Sequence, residues 1–190
     1  MALQSTPTGG GGLGWVFVNN ITMAAVASQA IDLKHGYPVY KLYFSDLVMS
    51  ADDQFMEFQF NVSGTAQTGS GDYWYIYTDN NNIGTTEATA VLGDESLEAI
   101  PLLGATEMAA NENPGTDGGA VGYCEMTIMG LGLAKASFVN LTYTYHQGAA
   151  QFGSQLTGGT LVAEANDGIT ILVEGATTVS GSIYIMGLNV

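Results

Sequence analysis

The feature that most restricts this chain is an alternation of apolar and polar side chains with a period of two, with no sustained helical period anywhere. In residues 55–62, Met56, Phe58, Phe60 and Val62 fall on one side, and Glu57, Gln59 and Asn61 on the other. Successive side chains of a β-strand point to opposite faces, so this spacing describes a strand with one face buried. The pattern returns in residues 122–129, where Cys124, Met126 and Ile128 oppose Tyr123, Glu125 and Thr127. In residues 137–145, Val139, Leu141, Tyr143 and Tyr145 oppose Phe138, Asn140, Thr142 and Thr144. Residues 72–78 have a Tyr73, Tyr75, Tyr77 face and a Trp74, Ile76 face, and Asp79-Asn80-Asn81-Asn82 breaks the run. Residues 39–49 and 182–188 are rich in the β-branched and aromatic types that strands favour.

Punctuation between these runs predicts the connections. Ser50-Ala51-Asp52-Asp53 is a turn cluster, so residues 39–49 and 55–62 are expected to form a hairpin. Asn166-Asp167-Gly168 reads as a tight turn between short strands at 160–164 and 169–174. Residues 83–120 predict one or two strands near 86–92 and long loops, with a short helical turn over 96–103 limited by Pro101. Ile128-Met129-Gly130-Leu131 recurs as Ile185-Met186-Gly187-Leu188, which reads as two edge strands meeting the same packing need. About eight to ten antiparallel strands follow. The fold class is all-β: a sandwich, jelly roll or small barrel.

A chain of 190 residues suits one domain, placed here at 15–190. Residues 1–14 carry Gly9, Gly10, Gly11, Gly12 and Gly14, and such a run does not offset its own ordering entropy. It is expected to be a flexible arm, either a frayed terminus or a tether that orders on a partner.

Charge removes several functions. Eighteen acidic residues face three lysines (Lys34, Lys41 and Lys135) and no arginine, for a net charge of −15. Nucleic-acid binding requires a basic footprint for the phosphates, and none exists. Anionic lipid is disfavoured for the same reason, and no apolar run is long enough for a membrane span. The single cysteine, Cys124, makes neither an intrachain disulfide nor a cysteine metal cluster.

Catalytic patterns are also missing. The two histidines, His35 and His146, lie near no nucleophile motif, and no Gly-x-Ser-x-Gly occurs. Paired carboxylates for sugar hydrolysis cannot be singled out among so many surface acids. Asp52/Asp53 and Asp94/Glu95 lack EF-hand spacing. The glycine runs carry no lysine and open no helix, so no phosphate loop is present. The expectation is a chain with no enzymatic activity, no metal and no cofactor. One binding feature stands out: Tyr73, Trp74, Tyr75 and Tyr77 would serve either as core packing or as a stacking platform for a partner or glycan.

The order of these segments resembles a known class. Residues 40–64 (YKLYFSDLVMSADDQFMEFQFNVSG) run strand, acidic turn, strand, Ser-Gly; Tyr73-Trp74-Tyr75 follows, then two strands flanking Lys135 in 122–145, and a closing Gly181-Ser182-Ile183-Tyr184-Ile185-Met186-Gly187-Leu188. This resembles the small jelly-roll domains of tailed-bacteriophage virion proteins, over about residues 15–190. The resemblance implies a jelly-roll-like β-sandwich and a non-enzymatic virion component, homotrimeric or arrayed by capsid symmetry. A capsid decoration, cement or head-fibre protein is one role it implies. A receptor-binding tail fibre or tail tip recognising host surface glycans is another, and a cellular lectin-like module is a third reading. Partners are then further copies of the chain, other capsid or tail proteins and, for the tail role, a host glycan.

Overall fold

The structure is a computed structural model, and it describes residues 14–34, 36–50, 56–69, 71–83, 86–103, 122–147, 150–173 and 177–190. Among these there is no helix. Fourteen strands follow in order: β1 (Gly14–Val26), β2 (Ser28–Asp32), β3 (Val39–Met49), β4 (Met56–Val62), β5 (Thr65–Ala66), β6 (Tyr73–Ile83), β7 (Thr86–Leu97), β8 (Ile100–Leu103), β9 (Gly122–Met129), β10 (Ala134–Lys135), β11 (Phe138–Gln147), β12 (Ala150–Thr160), β13 (Glu164–Val173) and β14 (Val179–Asn189). Of the expected arm, Gly9, Gly10, Gly11 and Gly12 lie outside the described residues. Gly14 opens β1 opposite Asn189.

The strands form two antiparallel sheets packed as a sandwich. The large sheet runs β1-β14-β3-β9-β11-β12-β6-β7; the small one has β13 and β4 at its centre, with β2 and β10 beside β13 and β5 and β8 beside β4. Two insertions, β5–β7 and β10–β12, extend a simpler path. Without them, eight strands remain, and chain order changes sheet at every step except from β4 to β8. The large sheet then reads first, eighth, third, sixth, and the small one second, seventh, fourth, fifth. That order is the doubled Greek key of a jelly roll. The hairpins β6–β7 and β11–β12 widen the large sheet to eight strands.

The inner faces supply the core: Leu42, Phe44, Met126, Ile128, Val139, Leu141 and Ile183 from the large sheet, and Met56, Phe58, Phe60, Ile169 and Ile171 from the small one. The period-two pattern therefore placed its apolar sets on the buried side, as alternation in a half-buried strand requires.

Several connections differ from expectation. Strands β3 and β4 make no hairpin: β3 pairs with β14 and β9, whereas β4 pairs with β13 in the opposite sheet. Asn166-Asp167-Gly168 is not a turn but a bulge inside β13. Gly168 is required there because a Cβ would lie 2.3 Å from the Ile31 carbonyl oxygen on β2. Residues 100–103 are strand, not helical turn; Pro101 is tolerated because β8 is an edge strand pairing only with β4 among its described neighbours. Of the recurring Ile-Met-Gly-Leu tetrapeptides, the first ends β9 and runs into the following turn and the second lies within β14; both strands flank β3 inside the sheet rather than at its edges.

One side chain completes a sheet edge. Beside β4, β8 covers residues 56–58 and β5 covers 61–62. The gap falls at Phe60. Its N–H donates to the Tyr73 hydroxyl (2.9 Å), which donates in turn to the Gln67 carbonyl (2.9 Å), and the Phe60 carbonyl accepts from the Gln67 N–H.

Candidate functional site

Tyr73, Tyr75 and Tyr77 all face the sandwich interior and are at most 3% exposed. The Phe60 and Tyr73 rings stack at 6.3 Å, and Tyr75 and Tyr77 lie 5.7 Å apart. Rings sealed between two sheets cannot stack on a ligand outside, so the platform expected on these tyrosines is corrected to core packing. Of the four residues, only Trp74 points outward, half-buried.

The outward side of the large sheet carries the aromatic surface instead. Its residues are the odd partners of the core positions, and cross-strand register sets them in rows. Nearest the end where β1 begins, Trp15 lies opposite Leu188, and Val39, Met129, Phe138, Gly159 and Trp74 are successive cross-strand partners. In the next row come Phe17, Met186, Lys41, Thr127, Asn140, Thr157 and Ile76. The third holds Asn20, Tyr184, Tyr43, Glu125, Thr142, Gln155 and Thr78. Phe17 is 58% exposed, and Tyr43, Tyr123, Phe138 and Tyr184 are all exposed as well.

Across these rows Lys41 and Glu125 are the only charges, and they pair through a lysine–carboxylate hydrogen bond. The Lys41 ammonium sits 5.4 Å from the Trp15 ring centroid and 6.0 Å from that of Tyr43. Hydrogen bonding to Glu125 holds the Lys41 ammonium above the usual lysine range. Elsewhere the face is hydroxyl and amide, with Thr157 donating to the Asn140 side-chain oxygen at 2.9 Å. In a chain of −15, these three rows carry one cation and one anion, and Trp15, Phe17, Tyr43 and Tyr184 gather on β1, β3 and β14.

Cys124 is buried, and burial pushes its thiol well above the usual range, which removes the reactive thiolate. His146 lies in β11, paired with Gln151, and His35 is outside the described residues. Among the described residues no group of three or more His, Cys, Asp or Glu side chains is placed to hold a metal ion.

Sequence reasoning missed Trp15, Phe17, Tyr43 and Tyr184. A signal was present: Tyr123, Phe138 and Tyr184 occupy the nominally polar side of their strands, where a solvated face has no use for large rings. No family model matches the chain, and no curated protein matches it.

Proposed function

We propose that this chain is a non-enzymatic structural protein of a bacteriophage virion, a capsid decoration, cement or head-fibre protein that assembles with itself, as a homotrimer, and with other virion proteins. One observation carries the reading: an eight-strand jelly-roll path, widened into a large sheet whose outer face carries exposed aromatic side chains around the paired Lys41 and Glu125. The path supports it through the resemblance of the whole strand order to jelly-roll virion domains. The face supports it because a contiguous apolar surface rimmed by polar residues marks a contact with another macromolecule. Mass spectrometry of particles purified on a density gradient tests it. The chain is expected at a fixed number of copies per particle; its absence from particles would sink the proposal.

A second reading draws on the third row of the same face. Tyr184 and Tyr43 are cross-strand partners, with Asn20, Thr142 and Gln155 in the same row offering neutral hydrogen-bonding groups. Stacking rings beside amides and hydroxyls suit a neutral sugar, which favours a receptor-binding tail component. A glycan array separates the two: saturable binding lost in Tyr184→Ala supports the tail role, and no binding supports the head role.

A further inference from the structure

We propose that the free edge of β1 is a self-pairing strand: two copies of this chain join antiparallel along Asn19–Met23, about a two-fold axis through Ile21. The contact is separate from the threefold association proposed above and does not depend on it.

Sheet edges carry unpaired backbone N–H and C=O groups, and folds blunt them with short strands, charge or proline. The small sheet does so: its edge strands β2, β5, β8 and β10 span two to five residues, and β8 holds Pro101. The large sheet ends in two long strands, β1 and β7. The sequence of β7 contains Glu87, Asp94 and Glu95. The 13 residues of β1 contain no acid, no base and no proline, and among the described residues β1 pairs only with β14. Bulges are the remaining way to blunt an edge. Those of β1 bracket Asn19–Met23 and leave this segment in unbroken register with Ile185–Gly181.

Side-chain burial shows the same open edge. Val18 and Ile21 pack against the core but stay half-buried, whereas Ile183 and Ile185 on β14 are at most 1% exposed. A further strand beside β1 would finish covering this apolar row.

Charge and symmetry select a second copy as that strand. β14 also lacks acids and bases, so within the large sheet the nearest described charges, Lys41 and Asp46, sit on β3, two strands in. Neighbouring strands are about 4.8 Å apart, so the β3 charges of two copies joined along β1 face each other across roughly 24 Å, beyond the ~8 Å Debye length. Two chains of −15 therefore meet here without the like-charge opposition that a contact between β7 strands imposes. A basic partner gains nothing from a strand without acids. The segment is also complementary to itself. About the axis through Ile21, exposed Asn20 lies opposite the partner's Thr22 on the outer side, and Ile21 meets the partner's Ile21 on the inner side. Because the contact is isologous, it closes the free edge of both copies at once.

Disulfide trapping tests the edge and its register together. Asn20→Cys and Thr22→Cys are made as separate variants of the full chain; both sites are exposed, and native Cys124 is buried. Cross-strand partners have Cβ atoms about 4.5–5.5 Å apart and diagonal neighbours about 7–8 Å, so opposed positions alone form the bond. Oxidising a mixture of the two variants at micromolar concentration is expected to give covalent dimers containing one of each, about tenfold or more above either variant alone. Light scattering should find the wild type at an even multiple of 19.8 kDa. No covalent dimer in the mixture, equal yield from the single variants, or a wild type that is monomeric or odd-numbered would overturn the inference. So would crosslinking of Thr22→Cys to a different protein in purified particles, which gives the edge to that partner. Particles that keep the chain after any of these results leave the virion reading in place.

Discussion

Replacing Tyr73 by Phe removes a single oxygen, and the structure gives its worth. That hydroxyl accepts from the Phe60 N–H and donates to the Gln67 carbonyl, both at 2.9 Å, where the edge of β4 facing away from β13 lies between β8 and β5. The Tyr73 side chain is 0% exposed, so water cannot take over either bond in a rigid fold. An orphaned buried donor costs about 1–3 kcal/mol. For a domain of this size each kcal/mol lowers Tm by roughly 2–4 °C. Taking about 2 kcal/mol, differential scanning calorimetry should find Tyr73→Phe melting about 4–8 °C below wild type at neutral pH. The pH dependence gives an independent check. Burial pushes the Tyr73 phenol far above its ordinary value of 10.0. A raised folded pKa means that its contribution is full below the unfolded value, near pH 10, and is lost as pH climbs beyond it. Above pH 10, wild-type stability should therefore fall more steeply than that of Tyr73→Phe, by about 1.4 kcal/mol per pH unit. A Tm within 1 °C of wild type, together with parallel alkaline slopes, would refute the reasoning that the phenol closes the sheet edge.

Other expectations follow from the same geometry. Gly168→Ala forces a methyl to within 2.3 Å of the Ile31 carbonyl and should cost roughly 1–3 kcal/mol, seen as a lower urea midpoint; an unchanged midpoint would mean that β2 yields freely. Tyr75→Ala should lose about 3–5 kcal/mol by emptying the core, whereas an intact Tm with lost partner binding would return that tyrosine face to a contact role. Cys124 should resist a neutral-pH thiol reagent in the native chain and react once per chain in guanidinium, and fast native labelling would contradict its burial.

The strands that were legible in sequence are those with unbroken alternation: β4, β9 and β11 appear within a residue or so of where their patterns put them, and β6 showed both of its faces. Strand β1 was not legible, because bulges between Phe17 and Asn19 and between Met23 and Val26 shift its period and scramble the apolar set. Neighbouring bulges at Phe44/Leu47 in β3 and Ser180/Ser182 in β14 show that this region of the sheet is bent as a unit, which a one-dimensional pattern does not carry. The false hairpin at residues 50–53 has a different cause. A turn signal says that the chain reverses, not whether it returns to the same sheet or crosses to the other, and in a jelly roll it crosses repeatedly. Asn166-Asp167-Gly168 was misread because glycine serves close backbone approach as well as tight turns. The aromatic face needed register between β1, β14 and β3, which are far apart in sequence, so its members could be named only after the sheet was assembled.

The central claim is that the outer face of the large sheet belongs to a protein held within a virion. Hydroxyl-radical footprinting, read by mass spectrometry, compares the free chain with purified particles most directly. The account predicts strong oxidation of Phe17, Tyr43 and Tyr184 in the free chain and protection of these residues in particles, with Leu133, exposed in the loop after β9, equally oxidised in both. Equal oxidation of the face in both samples, or particles without the chain, would contradict it.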